Sequence, residues 1–223
     1  PTAHESFDRG VREYEARRFT RAERFFAEAA RANPTSGDAW ANFGTAAWAA
    51  HDTAAAAIGW QRALRLDPLG GDVRSRLDLT PGFGGTALGS VPLVTESTLV
   101  AVGGTAWVLA WLCAAVGIWK RRAPWRYAGY ALGLVALASG IAGVRVREAH
   151  DARRLAVVLE AGRLRSLPVL GSEAAAPVLT GEVARALRQE GVWSLVRLGD
   201  AREGWIESDQ IEPIGRPWAS GRR

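Results

Sequence analysis

Residues 37–68 read GDAWANFGTAAWAAHDTAAAAIGWQRALRLDP, and this stretch repeats the pattern of the 34 residues before it. Such a period predicts stacked pairs of antiparallel helices, in which small residues allow close approach, an aromatic fills the space between helices and proline ends the second helix. Five matched positions carry the period, namely Gly10, Ala22, Phe26, Ala29 and Pro34 with Gly44, Ala56, Trp60, Ala63 and Pro68.

The second copy resembles the tetratricopeptide repeat (TPR), and the first copy resembles it less closely because Ser6 and Arg9 stand where large apolar residues are usual. The resemblance implies that residues 1–78 form a domain of two repeats, completed by a short capping helix from Asp72 to Leu77. The residues that carry it are Trp40, Phe43, Gly44, Ala56, Trp60, Ala63 and Pro68.

Repeats of this kind commonly bind a peptide or a partner helix on the concave face of their first helices, so the resemblance implies a TPR groove here. Phe7 and Val11 fit the repeat core equally well, whereas Tyr14 and Trp48 are better candidates for a contact surface. The Lys and Asn pattern that clamps C-terminal carboxylates in some of these domains is absent. The candidate groove residues are Phe7, Val11, Tyr14, Thr45 and Trp48.

Two uncharged stretches follow a linker at 79–96 that is rich in Gly, Thr, Ser and Pro. Ser97–Trp119 would cover about 35 Å as a helix and Tyr127–Val144 about 27 Å, which is enough for the hydrocarbon core of a bilayer. We therefore predict transmembrane helix 1 at 97–119, a loop at 120–126 and transmembrane helix 2 at 127–147. The alternative, a buried hairpin in a soluble protein, needs larger neighbouring domains than this chain has.

The net charge of +5 is concentrated beside these stretches. Residues 1–94 hold eleven arginines against eleven acids and residues 155–223 hold nine against nine, which argues against a nucleic-acid partner. Four basic residues in the 120–126 loop predict that it is cytoplasmic. The chain would then be a bacterial inner-membrane protein with both soluble parts in the periplasm. This orientation requires an export signal upstream of Pro1.

Small residues recur every three or four positions in both stretches and predict close helix packing in lipid. They serve either to pack the two spans together or to dock another membrane protein. They are Gly103, Ala106, Ala110, Cys113 and Gly117 in the first stretch and Gly129, Gly133, Ala136, Gly140 and Gly143 in the second.

Residues 155–214 contain short apolar segments between glycines and polar turns, and their spacing predicts a small all-β barrel of about five strands, followed by a tail at 215–223. The predicted strands include Ala156–Leu159, Val178–Leu179, Trp193–Leu198 and Gly204–Ile206. The segment resembles the bacterial SH3-like domain through Leu164, Arg165, Ser166 and Pro168, then Gly181, then Trp193, Val196 and Arg197, and finally Gly204, Trp205 and Ile206.

Relatives of the SH3-like domain often bind cell-wall peptides or proteins in grooves lined by aromatics. That resemblance implies a binding surface at Trp193 and Trp205, although tryptophans at such positions also serve as barrel core. Elsewhere, His4, His51 and His150 are too scattered for a metal site. We expect no cofactor and no catalytic group, and Cys113 is expected to be a small packing residue.

The predicted fold class is a multidomain membrane protein with all-α TPR repeats, a two-helix transmembrane hairpin and an SH3-like barrel. This order resembles the repeat-containing membrane subunit of bacterial aerotolerance (Bat) operons. The resemblance implies a non-enzymatic scaffold in an inner-membrane complex with von Willebrand A-domain (VWA) membrane proteins and a MoxR-type ATPase. The alternative is an envelope sensor or anchor that binds peptidoglycan.

Overall fold

The computed structural model of the protein describes residues 2–80, 96–120, 123–150 and 154–215, with only the backbone at 96, 97, 126, 145 and 147–150. Most of the predicted linker, the centre of the basic loop and the tail after Gly215 lie outside the described residues. The contacts divide the chain into two compact units. The first comprises Pro1–Val91 with Asp151–Arg223, and the second is Pro92–His150.

Within residues 2–80 the chain forms five helices. They are α1 (Ala3–Glu15), α2 (Phe19–Ala32), α3 (Gly37–Ala49), α4 (Thr53–Leu66) and α5 (Gly71–Leu77). A side-chain cap begins three of them: Thr2 and Ser36 each accept a hydrogen bond from an amide in the first turn at 3.2 Å, and Asp52 does so at 2.9 Å. These caps satisfy amides that have no partner within the helix.

The 34-residue period appears in the structure as two helix hairpins, α1 with α2 and α3 with α4. A Cβ at Gly10 would lie 2.7 Å from the ring of Phe26, and a Cβ at Gly44 would lie 2.6 Å from the ring of Trp60. Glycine is therefore needed because each aromatic ring lies directly against the facing backbone. The connecting turns also match, because Arg17 and His51, 34 positions apart, both have positive φ, of 57° and 65°.

The C-terminal part of the first unit is one antiparallel sheet. Its strands are β1 (Leu155–Val158), β2 (Gly162–Arg165), β3 (Ala174–Val178), β4 (Val183–Glu190), β5 (Trp193–Leu198), β6 (Glu203–Glu207) and β7 (Ile211–Pro213). Their order in the sheet is β3-β2-β6-β5-β4-β1-β7. A short 3₁₀ helix, Ser208–Gln210, precedes β7.

Within residues 154–215 the sheet has seven strands, where the sequence predicted about five. Strands β2, β4 and β7 were not predicted, because β2 and β4 carry charged residues on their exposed side and β7 has only three residues. The third strand lies at Ala174–Val178, so the predicted Val178–Leu179 segment covers only its end. Strand β5 has the predicted bounds.

The second unit contains α6 (Glu96–Trp119) and α7 (Ala123–His150). Helix α7 begins at Ala123, before the predicted Tyr127. Pro124 fits in the first turn of the helix, because a backbone N–H at that position has no acceptor within the helix. In the described residues two helical segments, Thr98–Trp119 and Ala123–Val144, are long and apolar enough to cross a membrane, with mean hydropathies of 2.0 and 1.6. Within an 18-residue apolar window of each segment, only 11% and 6% of the residues are buried.

Candidate interaction surfaces

The predicted groove residues lie on the first helix of each repeat, and some of them are packed whereas others are accessible. Phe7 packs edge to face on Phe26 with ring centroids 5.3 Å apart, and Tyr14 packs in the same way on Phe19 at 5.2 Å. Both are half-buried against the helical core, as is Val11. The structure thus uses these three predicted groove residues at least partly for internal packing.

The other two predicted groove residues, Thr45 and Trp48, differ in what they leave accessible. The Thr45 hydroxyl donates to the Ala41 carbonyl at 2.9 Å and accepts from the Trp60 indole at 3.4 Å and from the guanidinium of Arg76. Trp48 remains 37% exposed, with its ring 5.7 Å from that of Trp60. Trp48 is therefore the most accessible aromatic of the predicted groove.

A second surface lies at the turns between the paired helices. A cavity of about 450 Å³ is lined there by Arg17, Arg18, Arg21 and His51, together with neighbouring residues. On α2 nearby in sequence, burial raises the pKa of Glu23 to about 7, and the negative charge of Asp52 adds to the shift. Sequence reasoning missed this cluster, because only the fold brings the two turns together.

The small residues of the hairpin pack the two helices together along part of their length. The two helices run antiparallel. A Cβ built on Gly103 would lie 3.1 Å from Ser139 Cβ, and a Cβ built on Gly129 would lie 3.1 Å from the Ala110 carbonyl oxygen. Ala106 and Gly117 are buried, and the Ala136 carbonyl lies near Gly103. Gly133 and Gly140 have no atom within 4 Å of their Cβ positions, so they take no part in this packing.

An apolar groove of about 1090 Å³ opens between α6 and α7. Its aromatic walls are Trp107, Trp111 and Tyr130, with Trp107 and Trp111 packed edge to face at 5.9 Å. Gly133 lies in this groove. Cys113 is free and half-buried, and its Cβ packs 3.6 Å from the Cβ position of Gly129.

On the sheet, Trp193 and Trp205 are 8% and 6% exposed, so both mainly serve as core. Their accessible edges line a cavity of about 320 Å³ whose other walls include Glu160, Arg163 and Glu207. The Arg165 guanidinium lies 6.0 Å from the Trp193 ring centroid, within reach of a weak cation–π contact. The predicted pair therefore lies together at one groove that also carries charged groups of both signs.

Sequence reasoning also missed the contact between the sheet and α4. Ala57 and Ile58 of α4 form one buried cluster with Leu155, Val157, Val183 and Ile214. All four residues of β1 are buried, because in a strand alternate side chains point to opposite faces and here both faces are covered. The uninterrupted apolar run of β1 is the sequence signal for this arrangement.

Arg62 of α4 supplies the polar part of that contact. Its Nε and one Nη donate to the carbonyls of Ile214 and Pro213 at 3.1 and 3.2 Å. Burial lowers the pKa of Arg62 to about 10, with the Glu212 carboxylate opposing the shift, so the guanidinium stays charged at neutral pH. Its hydrogen bonds compensate part of the cost of burying that charge.

Comparisons with known proteins add no relative. No protein-family model, no curated protein and no solved structure matches the chain. Among the described residues, no group of three or more His, Cys, Asp or Glu side chains is placed to hold a metal ion.

Proposed function

We propose that the protein is a non-enzymatic, membrane-anchored scaffold that holds protein partners in an inner-membrane complex. The observation that carries the proposal is a stack of helix hairpins with the accessible Trp48, in the same chain as two apolar, largely uncovered helices. Apolar helix surfaces of this extent are stable in lipid, whereas in water they would favour aggregation. The hairpin thus serves as the anchor and the helical stack as the partner-binding part.

The orientation follows from the basic residues between the spans. Lys120, Arg121, Arg122 and Arg126 lie between or at the ends of the apolar segments, and such residues are retained on the cytoplasmic side. The hairpin loop is then cytoplasmic and both soluble parts are periplasmic. Partners are expected in the same membrane, and the resemblance to the aerotolerance subunit names VWA-domain membrane proteins and, across the membrane, a MoxR-type ATPase.

Trp48 is the residue through which the partner surface is best tested. A photo-crosslinking amino acid at position 48 of the full chain should capture VWA-domain membrane proteins when bacterial membranes are irradiated. The matched control is the same amino acid at Leu66, which is also exposed, at 43%, but lies on α4. Equal capture at both positions, or no VWA-domain protein at position 48, would reject the proposed face.

A second candidate function, binding of cell-wall peptides, is favoured by the groove beside Trp193 and Trp205. Its charged walls suit a peptide that carries both amino and carboxylate groups. The full chain in detergent should be retained on intact peptidoglycan, and Arg163→Glu should weaken retention about tenfold. Arg185→Glu is the control, since Arg185 is exposed on β4 and does not line the groove. Loss of retention in both variants would indicate only nonspecific charge attraction.

A further inference from the structure

We propose that the C-terminal sheet is the cap of the helical stack, and that this contact holds the two soluble segments on one side of the membrane independently of the charges beside the spans. The second half of this inference rests on the membrane insertion proposed above, whereas the first half does not. The two halves are therefore tested by separate experiments.

The apolar part of the contact covers a continuous face of α4. Thr53 with Ala57 and Ile58 with Arg62 are each four positions apart and so adjacent along the helix, and the two pairs form neighbouring rows. The end of a repeat stack normally carries a polar outer face or a capping element. Helix α5 follows α4, but its Val73 and Leu77 pack with the repeat core and not with Ala57 and Ile58. Here Ala57 and Ile58 are fully buried, and the residues that cover them come from the sheet.

The two ends of this face are held by contacts that require exact geometry. At one end, Gly181 has a φ of +84°, and its Cβ position lies 3.0 Å from Thr53 Cγ2. At the other end, Arg62 donates two hydrogen bonds to carbonyls at the end of β7 and lies 4.5 Å from the ring centroid of Trp40. Arg62 thus connects a repeat aromatic to the last strand of the sheet.

The contact constrains how the chain crosses a membrane. Both spans lie between α4 and β1 in the sequence, so the sheet reaches α4 only if both spans insert or neither does. Insertion of one span alone would leave Ile58 and Val157 on opposite sides of the bilayer, with their apolar surfaces uncovered. The folded soluble unit therefore selects the hairpin over any arrangement with one span.

The capping contact is tested by amide hydrogen exchange of the full chain in detergent, comparing Ile58→Asp with Leu66→Asp. A carboxylate at the buried position should speed exchange in β1 and β4 at least tenfold, whereas the exposed position on the same helix should leave it unchanged. Because the helices and the sheet form a single unit, faster exchange in the helices together with β1 and β4 would also support the proposal. Faster exchange in the helices with unchanged β1 and β4 would overturn the proposal.

Gly181→Ala and Gly191→Ala give a milder version of the same test. Both glycines have positive φ, but only Gly181 approaches α4, and the Cβ position of Gly191 has no atom within 4 Å. Alanine at 181 should speed exchange at the start of α4, on the far side of the contact. Alanine at 191 should act only on its own turn, and equal effects on α4 would count against the cap.

Sidedness is tested with single cysteines in a Cys113→Ser chain. Thr35→Cys lies in the repeats and Asp209→Cys near the end of the sheet, and both positions are exposed. A membrane-impermeant maleimide should label both from the same side of sealed membranes, and labelling from opposite sides would overturn the inference. Fractionation of the chain as a soluble protein would instead refute the proposed anchor, while the exchange experiment would still decide on the cap.

Discussion

Replacing Gly44 with alanine should destabilise the first unit, although alanine is the better helix former. The added methyl group would meet Trp60 Cδ1 at 2.6 Å, Trp60 Nε1 at 2.8 Å and the Ala56 carbonyl oxygen at 3.0 Å. A side-chain rotation cannot remove the clash with the carbonyl. Overpacking of this kind costs about 3 kcal/mol at its upper end, against a gain of about 1 kcal/mol in helix propensity, so the net loss is about 2 kcal/mol.

For a unit of this size, such a loss corresponds to a fall in melting temperature of roughly 4 to 8 °C. The assay is thermal unfolding of the full chain in mild detergent, followed by near-UV circular dichroism. Gly71→Ala is the control, because nothing lies within 4 Å of that Cβ position, and Gly10→Ala should repeat the Gly44 result because Phe26 lies 2.7 Å away. A Gly44→Ala protein as stable as the parent would refute the packing argument.

Three further results are expected. Because the folded pKa of Glu23 lies near 7, above its ordinary value of 4.5, its contribution to stability is fully present below pH 4.5 and is lost as pH rises through 7. Glu23→Gln should therefore reduce the change in the free energy of unfolding between pH 5 and 8 by roughly 1 kcal/mol, after allowing for solvent screening at a partly exposed site. Glu182→Gln should lower the free energy of unfolding by about 2 kcal/mol in urea titrations, because the buried carboxylate pairs with Arg202 at 2.5 Å. A melting temperature and a urea midpoint equal to those of the parent would contradict this prediction. Gly129→Val should lower the free energy of unfolding of the hairpin in detergent by about 2 kcal/mol, whereas Gly140→Val should not, since only Gly129 is packed against the facing helix. Similar unfolding free energies for the two variants would be inconsistent with the antiparallel contacts.

The helical parts could be predicted from sequence because their signals are local. The spacing of Gly44 and Trp60 reports a contact within one hairpin, and the apolar stretches report their own length. The sheet was predicted less completely. Strand β4 reads VARALRQE, and its three charged residues conceal a strand that pairs with both β1 and β5.

The contact between the sheet and α4 could not be predicted because it joins residues about 100 positions apart. Ala57 and Ile58 look like ordinary repeat core, and nothing in their own segment distinguishes a face covered by helices from one covered by a sheet. The groove predictions were limited for the same reason. Whether Tyr14 or Thr45 is accessible depends on Phe19 and Arg76, which only the folded chain brings beside them.

The position of Ile58 beneath the sheet has a consequence for synthesis of the protein. Its covering residue Ile214 is made about 150 residues after α4 ends, which at roughly 5 to 20 residues per second takes on the order of 10 to 30 s. During that interval α4 carries an uncovered apolar face. Until the final strand has been made, that face is therefore the part of the nascent chain most open to nonspecific association.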